Sequence, residues 1–245
     1  LVRSRGLGDV YKRQVYTIIY IIVMVVVVGA ALAFTSLGLK SRQQENINAD
    51  KMKQILASVH ITPAKDSVTT DFDRYITRSF IVNSLGDELP GNAFDVNTAE
   101  EAKKPVAERQ LPVYECTVAP GDVKYIVPVN GAGLWGPIWG YVSINADGST
   151  VYGAYFAHQG ETPGLGAEIE KPAFSGQFEG KHMFKNGQFM PVAVVKAGQA
   201  PANGEDYVDG ISGGTITSKG VGSMIDNCIG AYSKFLENLT ENPTR

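Results

Sequence analysis

The chain has 245 residues and a formal net charge of −3 at pH 7. This length suffices for one large or two small globular domains with a sizeable core. The charge excludes the basic surface that DNA or RNA binding requires, so we expect no nucleic acid partner. Cys116 and Cys228 match no metal-ligand spacing, so no metal site is predicted, and we expect both to be half-buried. The sequence does not decide whether the two cysteines form a disulfide.

The N-terminal region contains a long apolar segment. Residues 1–14 are basic and lack hydrophobic periodicity, so we predict a foreign tail and leave them out of the fold prediction. Residues 15–38 include 23 uncharged residues from Val15 to Leu37, which as a helix would be about 34 Å long. The segment predicts a transmembrane helix, since a cleaved signal peptide usually has a shorter apolar region. Basic residues flank both ends, so charge does not give the orientation.

Two segments connect this span to the rest of the chain. Residues 39–63 have the pattern of an amphipathic stalk helix that Pro63 ends, with apolar residues at mostly three- and four-residue intervals: Ile47, Met52, Ile55, Leu56 and Val59. Residues 64–110 are polar and mixed. They contain a predicted strand in SFIVNSLGDEL and a short charged helix or loop in TAEEAKKPVAERQL. We expect an accessory segment without chemistry.

Residues 111–240 have the pattern of an α+β domain. Short β-rich runs such as KYIVPV, GPIWGYVSI, STVYGAYFAH and MPVAVV alternate with glycine and asparagine turns. NADG at 145–148 and KNGQ at 185–188 predict hairpins. The segment KGVGSMIDNCIGAYSKFLENL predicts a closing helix that packs on the sheet through one apolar face: Val221, Met224, Ile225, Cys228, Ile229, Tyr232 and Leu236.

The first cluster with chemical potential precedes this helix. Residues 209–218, DGISGGTITS, combine glycines and hydroxyls in a predicted strand-to-helix turn. Glycines permit close approach of a ligand, and helix N-terminal amides favour a phosphate. The alternative is an ordinary helix N-cap in which Thr217 or Ser218 bonds the first amides. No P-loop pattern is present.

Two further clusters lie in turn-rich loops. In residues 158–168, His158 has no visible catalytic partner, so an ordinary loop histidine is favoured and no catalytic residue is predicted. Glu161 either accepts hydrogen bonds from a ligand ring N–H or sugar hydroxyl, or is simply exposed or hydrogen-bonded within the protein. In residues 131–140, Trp135 and Trp139 either pack on an aromatic ligand or fill the core.

Together these clusters, in this order behind one span, resemble the NqrC family, the FMN-binding subunits of the Na+-translocating NADH:quinone oxidoreductase. The likeness covers nearly the whole chain after residue 14. Its most specific part is the flavinylation motif Asp-x-x-Ser/Thr-Gly-Ala-Thr, to which Asp209-Gly-Ile-Ser212-Gly213-Gly214-Thr215 is similar, with Gly214 where the family usually has alanine. The segments ETPGLG at 161–166 and GLWGPIWGY at 133–141 are also similar to the family's.

The resemblance implies a flavoprotein fold and a set of site residues. The expected architecture is one transmembrane helix followed by an FMN-binding domain with a mainly antiparallel sheet packed by helices. A flavin transferase would place FMN from FAD on Thr215 through a phosphoester, with Thr217 as the nearest competing hydroxyl. The other expected cofactor-binding residues lie in the three clusters: Ser212, Gly213, Gly214, Thr217, Glu161, Thr162, Leu165, Gly166, Leu134 and Trp135.

The resemblance also implies partners and a location. It places the protein in the bacterial inner membrane, with the flavin domain in the periplasm and the membrane subunits B, D and E of the complex as partners. There it would relay electrons within a sodium-pumping complex, NADH reacting on another subunit, because no dinucleotide-binding glycine motif follows a strand. The alternatives are a flavoprotein similar to RnfG of the Rnf complex, or a noncatalytic membrane-tethered binding domain.

Overall fold

A computed structural model describes residues 7–201 and 203–241, so the first six residues of the predicted tail lie outside it. The chain divides into two compact units, residues 1–50 and 51–245. Helix α1, Leu7–Ala57, forms the described part of the first unit and enters the second. By length and composition it could cross a membrane, and its most apolar 18-residue window has a mean hydropathy of 2.8 with no buried residue. Such an uncovered apolar surface is typical of a lipid-facing helix.

Helix α1 ends in a Schellman motif, so the predicted end at Pro63 is wrong. His60 adopts a left-handed conformation with φ 61°. Its amide donates to Ala57 O at 3.1 Å, and the Ile61 amide donates to Leu56 O at 3.0 Å. This pair of bonds satisfies the last carbonyls and turns the chain before the proline is reached. Of the predicted apolar face, Ile55, Leu56 and Val59 are buried and Met52 is half-buried, whereas Ile47 is exposed.

The second unit contains five more helices and ten strands among its described residues. The other helices are α2 Val68–Tyr75, α3 Thr98–Glu101, α4 Pro172–Ser175, α5 Thr215–Ala231 and α6 Ser233–Glu241. The first six strands are β1 Ile76–Val82, β2 Glu88–Leu89, β3 Leu111–Ala119, β4 Asp122–Ala132, β5 Pro137–Asn145 and β6 Val151–His158. The remaining strands are short: β7 Phe184–Lys185, β8 Gln188–Phe189, β9 Ala193–Val195 and β10 Tyr207–Asp209.

The expected α+β fold with a mainly antiparallel sheet is confirmed. Strands β1 to β6 form one antiparallel sheet in the order β2-β1-β3-β4-β5-β6. Successive residues of a strand point to opposite faces, so the side chains of the sheet pack alternately into two hydrophobic cores, one on each face. On one face Val127 and Val129 pack with α5 and α6, and on the other Ile126 packs with Ile55 and Leu56. Helices therefore cover both faces of the sheet.

The predicted hairpins are both present. Gly148 has φ 69° and its amide donates to Asn145 O at 3.0 Å, which closes the turn between β5 and β6. Asn186 and Gly187 have φ 51° and 76° between β7 and β8, as a type I′ turn requires. The run MPVAVV also forms a strand, β9, but it pairs in parallel with β10 outside the main sheet.

The predicted closing helix begins earlier than expected and is divided into two helices. Helix α5 begins at Thr215, four residues before the predicted start at Lys219, and the chain breaks at Tyr232 before α6. The predicted apolar face is confirmed, since all seven of its residues are buried. The Tyr232 hydroxyl donates to Pro112 O at 2.9 Å, which joins this break to β3. Residues 215–218 thus lie in the first helical turn rather than in a preceding loop.

Candidate functional site

The start of α5 presents free backbone donors. Gly214 is the N-cap residue and has no side chain with which to cap the helix. The first intrahelical hydrogen bond joins Ser218 N to Gly214 O at 2.9 Å, so the amides of residues 215–217 precede the helical ladder. Gly213 turns the chain into the helix with φ 78°, a conformation that favours glycine. This end of the helix can therefore accept an anion.

The four hydroxyls of residues 212–218 fall into two pairs. Thr217 is buried and its Oγ1 donates to Glu161 Oε2 at 2.5 Å. Ser218 is also buried, and its Oγ accepts from Ile211 N at 2.9 Å. Ser212 and Thr215 are exposed. The alternative of a helix N-cap by Thr217 or Ser218 is therefore wrong, because both hydroxyls bind groups outside the helix. Both are also buried, whereas the Thr215 side chain is open to solvent.

Glu161 connects the three sequence clusters. Its carboxylate accepts from Thr217 Oγ1 and, at 2.8 Å, from the Trp135 amide. Burial opposes ionisation of this carboxyl, but the hydrogen bonds from Thr217, Trp135 and Leu134 outweigh it and hold its pKa below the ordinary value of 4.5. Each oxygen thus has a donor from the protein itself. The structure places Glu161 as an internal brace between the loops.

Two glycines pack against this carboxylate. A Cβ at Gly133 would overlap Glu161 Oε1, and a Cβ at Gly166 would overlap Glu161 Oε2 and stand 2.5 Å from Thr217 Oγ1. These contacts explain glycine at both positions, because any side chain would displace the carboxylate.

His158, the last residue of β6, contacts the loop that carries Glu161. Its Nδ1 accepts from Glu161 N at 3.1 Å, and its Nε2 lies 3.5 Å from Glu170 Oε1. One ring nitrogen thus contacts the loop, and the other lies near the short helical turn that follows it.

Exposed apolar side chains surround the start of α5. Leu134 is 49%, Trp135 68%, Leu165 43% and Ile216 57% exposed. The Leu165 side chain lies against Gly213, where an added Cβ would stand 2.6 Å from Cδ2. The other tryptophan, Trp139, is half-buried and its Nε1 donates to Gln54 Oε1 at 3.0 Å. The two tryptophans therefore differ, and only Trp135 belongs to this exposed apolar surface.

The loop that carries Leu165 is held by its own backbone. The Thr162 carbonyl accepts from the amides of Leu165 at 3.1 Å and Ala167 at 3.2 Å. Gly164 has φ 76° within this turn. Thr162 itself is exposed beside the buried Glu161. The turn holds Leu165 outward, which makes it available to a ligand.

Sequence reasoning missed three residues near Thr215. Ile216 is exposed next to Thr215, although a helix residue of this type is usually assigned to the core. Lys196 and Lys219 line a cavity together with Thr215, and no motif marked them. The pairing of β9 with β10 brings Lys196 near the turn, so only the tertiary structure reveals this lysine.

Neither a metal site nor a reactive thiol is found in the described part of the chain. No group of three histidine, cysteine or acidic residues there could hold a metal ion. Cys116 and Cys228 are free and buried, rather than half-buried or joined as a disulfide. Burial raises the pKa of Cys116 to about 11 and also raises that of Cys228, so both remain thiols at neutral pH.

Comparison with known proteins gives consistent matches. Residues 133–230 match the FMN-binding domain family. The C subunit of the Na(+)-translocating NADH-quinone reductase from Vibrio anguillarum is 35% identical, over 92% of this chain and 94% of the relative. The corresponding subunit from Yersinia pestis is 32% identical, over 92% of each chain.

Solved structures agree with these sequence matches. The crystal structure of the C subunit of this reductase from Parabacteroides distasonis has a TM-score of 0.76 and 49% identity, and covers 81% of this chain and 96% of that one. The Shewanella oneidensis NqrC structure has a TM-score of 0.66 at 24% identity, covers 80% of this chain and all of that one, and supports the fold alone.

Proposed function

The chain belongs to the NqrC family, the C subunits of the Na+-translocating NADH-quinone reductase, an oxidoreductase complex, and we propose that it carries FMN covalently on Thr215 and relays electrons. The observation that carries this proposal is the exposed Thr215 hydroxyl at the start of α5, surrounded by apolar side chains and free amides. The matched FMN-binding family and the NqrC relatives favour this function over an RnfG-like flavoprotein or a tethered binding domain.

Attachment would be a phosphoryl transfer with FAD as the donor. The Thr215 oxygen attacks the flavin-side phosphorus, forming a P–O bond while the P–O bond to AMP breaks. AMP leaves with the electron pair, and the hydroxyl proton passes to the flavin transferase or solvent. Thr217 is unsuited as an acceptor, because its hydroxyl is buried and donates to Glu161.

The surrounding residues would hold the cofactor in two ways. We assign Leu134, Trp135 and Leu165 to apolar contact with the flavin ring, since they are the exposed apolar residues of the two loops. Bound FMN would supply the redox chemistry. Glu161, Thr217 and Gly166 would hold the loops together, and Thr162 would hold the turn that carries Leu165. Ser212, Gly213 and Gly214 form the turn that precedes Thr215.

The membrane assignment rests on α1. We propose a single-pass protein of the bacterial inner membrane whose residues 15–38 contact the lipid bilayer. The flavin domain, residues 111–240 with β1 and β2 extending its sheet, would face the periplasm. The membrane subunits B, D and E of the complex would be its partners. Fusing alkaline phosphatase to the C-terminus tests this orientation, because the enzyme is active only outside the cytoplasm; an inactive fusion in intact cells contradicts it.

Covalent attachment is tested by expressing the full chain with and without a flavin transferase in the same extracytoplasmic compartment. We expect in-gel flavin fluorescence after denaturation only with the transferase, and a peptide containing Thr215 heavier by one FMN residue. Thr217→Val should keep the flavin on Thr215. An unmodified Thr215 peptide from a competent host would refute the proposal, and a flavin on Thr217 would refute the assignment of the acceptor.

A further inference from the structure

A cavity lies next to Thr215, on a side that is not lined by the two loops predicted to hold the flavin. Its volume is about 270 Å³, and its walls come from residues 194–197 and 210–213 and from Thr215, Ser218 and Lys219 of α5. No residue of the segments 133–141 or 161–166 contributes. Thr215 thus borders two different environments: the exposed apolar side chains of the loops and this cavity.

The cavity is cationic. Lys196 and Lys219 are among its lining residues, and no aspartate or glutamate is. Neither ammonium group has a hydrogen-bond or ion-pair partner among the described residues.

A neighbouring cavity shows that the cationic character is local. It has a volume of about 560 Å³ and shares Val194 and Lys219 with the first, but its lining also includes Glu205 and Asp226. An anion would therefore be attracted to the cavity at Thr215 and repelled by the carboxylates of the next one.

Lys219 and the proposed acceptor Thr215 lie close together on α5. Lys219 follows Thr215 by four residues, so both lie on the same side of α5. Lys196 comes from the segment after β9 and lines the same space. Two positive side chains on different elements thus border the cavity that the Thr215 side chain also borders.

We propose that this cavity receives the phosphate of FMN, with Lys196 and Lys219 as its binding residues, while the flavin ring lies against the apolar loops. The inference rests on the proposed function and deepens it, since it assigns a separate subsite to each part of the cofactor. A phosphodiester keeps one negative charge, which an ammonium group binds as a point charge. The apolar surface suits the uncharged ring, and the cationic cavity suits the phosphate.

The test measures flavin attachment to the full membrane-bound chain with the transferase present. The variants are Lys196→Gln, Lys219→Gln, the double variant, and Lys196→Arg with Lys219→Arg. Lys65→Gln is the matched control, because it removes the same charge from an exposed lysine that lines none of these cavities. We expect the double glutamine variant to be modified about tenfold more slowly, as for loss of charged hydrogen bonds. The control should keep the wild-type rate, and the arginine variant, which retains both positive charges, should be modified faster than the double glutamine variant.

A second measurement separates phosphate binding from a structural role. The phosphorus-31 resonance of the loaded protein should move in the double glutamine variant and stay in place in the control, with melting temperatures alike. A wild-type attachment rate together with an unmoved resonance would overturn the inference and leave Thr215 as the acceptor. A wild-type chain that is never modified on Thr215 would overturn the proposed function and this inference with it.

Discussion

The two sides of the first turn of α5 differ although they carry the same kind of residue. Thr217 is buried and bonded to Glu161, whereas Thr215, two positions earlier, is exposed. Residues two apart on a helix are rotated by about 200°, so one faces the brace and the other faces outward. One side of the turn is thus bonded to the rest of the domain, and the other side is open to solvent. If one side serves stability and the other serves flavin attachment, substitutions on the two sides should have different effects.

The largest effect is expected on the open side. Thr215→Ala should abolish covalent flavin, because it removes the exposed hydroxyl that we assign as acceptor, and should barely change the melting temperature. Denaturing gel fluorescence and intact mass measure the loss. Ser212→Ala removes the other exposed hydroxyl of the turn and should keep the flavin. Fluorescence that persists in Thr215→Ala would show that the two sides are not divided in this way.

A strong effect on stability is expected on the buried side. Gly166→Ala should lower the free energy of unfolding by about 1–3 kcal/mol, because its methyl would overlap the Glu161 carboxylate. Chemical denaturation of the full chain in detergent measures it. Gly160→Ala is the control in the same loop, since an added Cβ there meets nothing within 4 Å. Equal stabilities of the two variants would contradict the brace.

The Glu161 brace should also depend on pH. Its pKa is held below 4.5, so its carboxylate stabilises the fold above that value and loses this contribution as the pH falls below it. Glu161→Gln should therefore be less stable than the wild type at pH 7 by about 1–3 kcal/mol. The difference should shrink in denaturation curves recorded below pH 4.5. A difference that stays constant with pH would show that ionisation does not matter.

The smallest effect is expected at the glycine where the family usually has alanine. In Gly214→Ala the new Cβ would stand 3.1 Å from Ile211 Cγ2 and 3.2 Å from Gly166 N, a tight but tolerable fit at φ −103°. We expect the free energy of unfolding to change by less than about 1 kcal/mol, because reduced freedom of the unfolded chain offsets a poorer N-cap. Flavin attachment should continue. Loss of attachment would show that glycine is required here.

Much of the fold was predictable from local pattern. The 23 uncharged residues of the span, the alternating strands and the Asn-Gly turn of β7 and β8 all depend on neighbours in sequence. Helix ends were predicted less well. Pro63 marked the wrong end of α1, because the Schellman bonds around His60 had no sequence signal that we recognised.

Local patterns were enough to establish the apolar span, the α+β domain and the three clusters that resemble a flavin-binding family. The role of each cluster residue emerged from the folded chain, because hydrogen bonds between distant segments depend on strand pairing and helix placement. Glu161 and Thr217 are 56 residues apart, and their bond leaves Thr215 exposed. The cationic cavity likewise required β9 to bring Lys196 near α5, which no local pattern encodes.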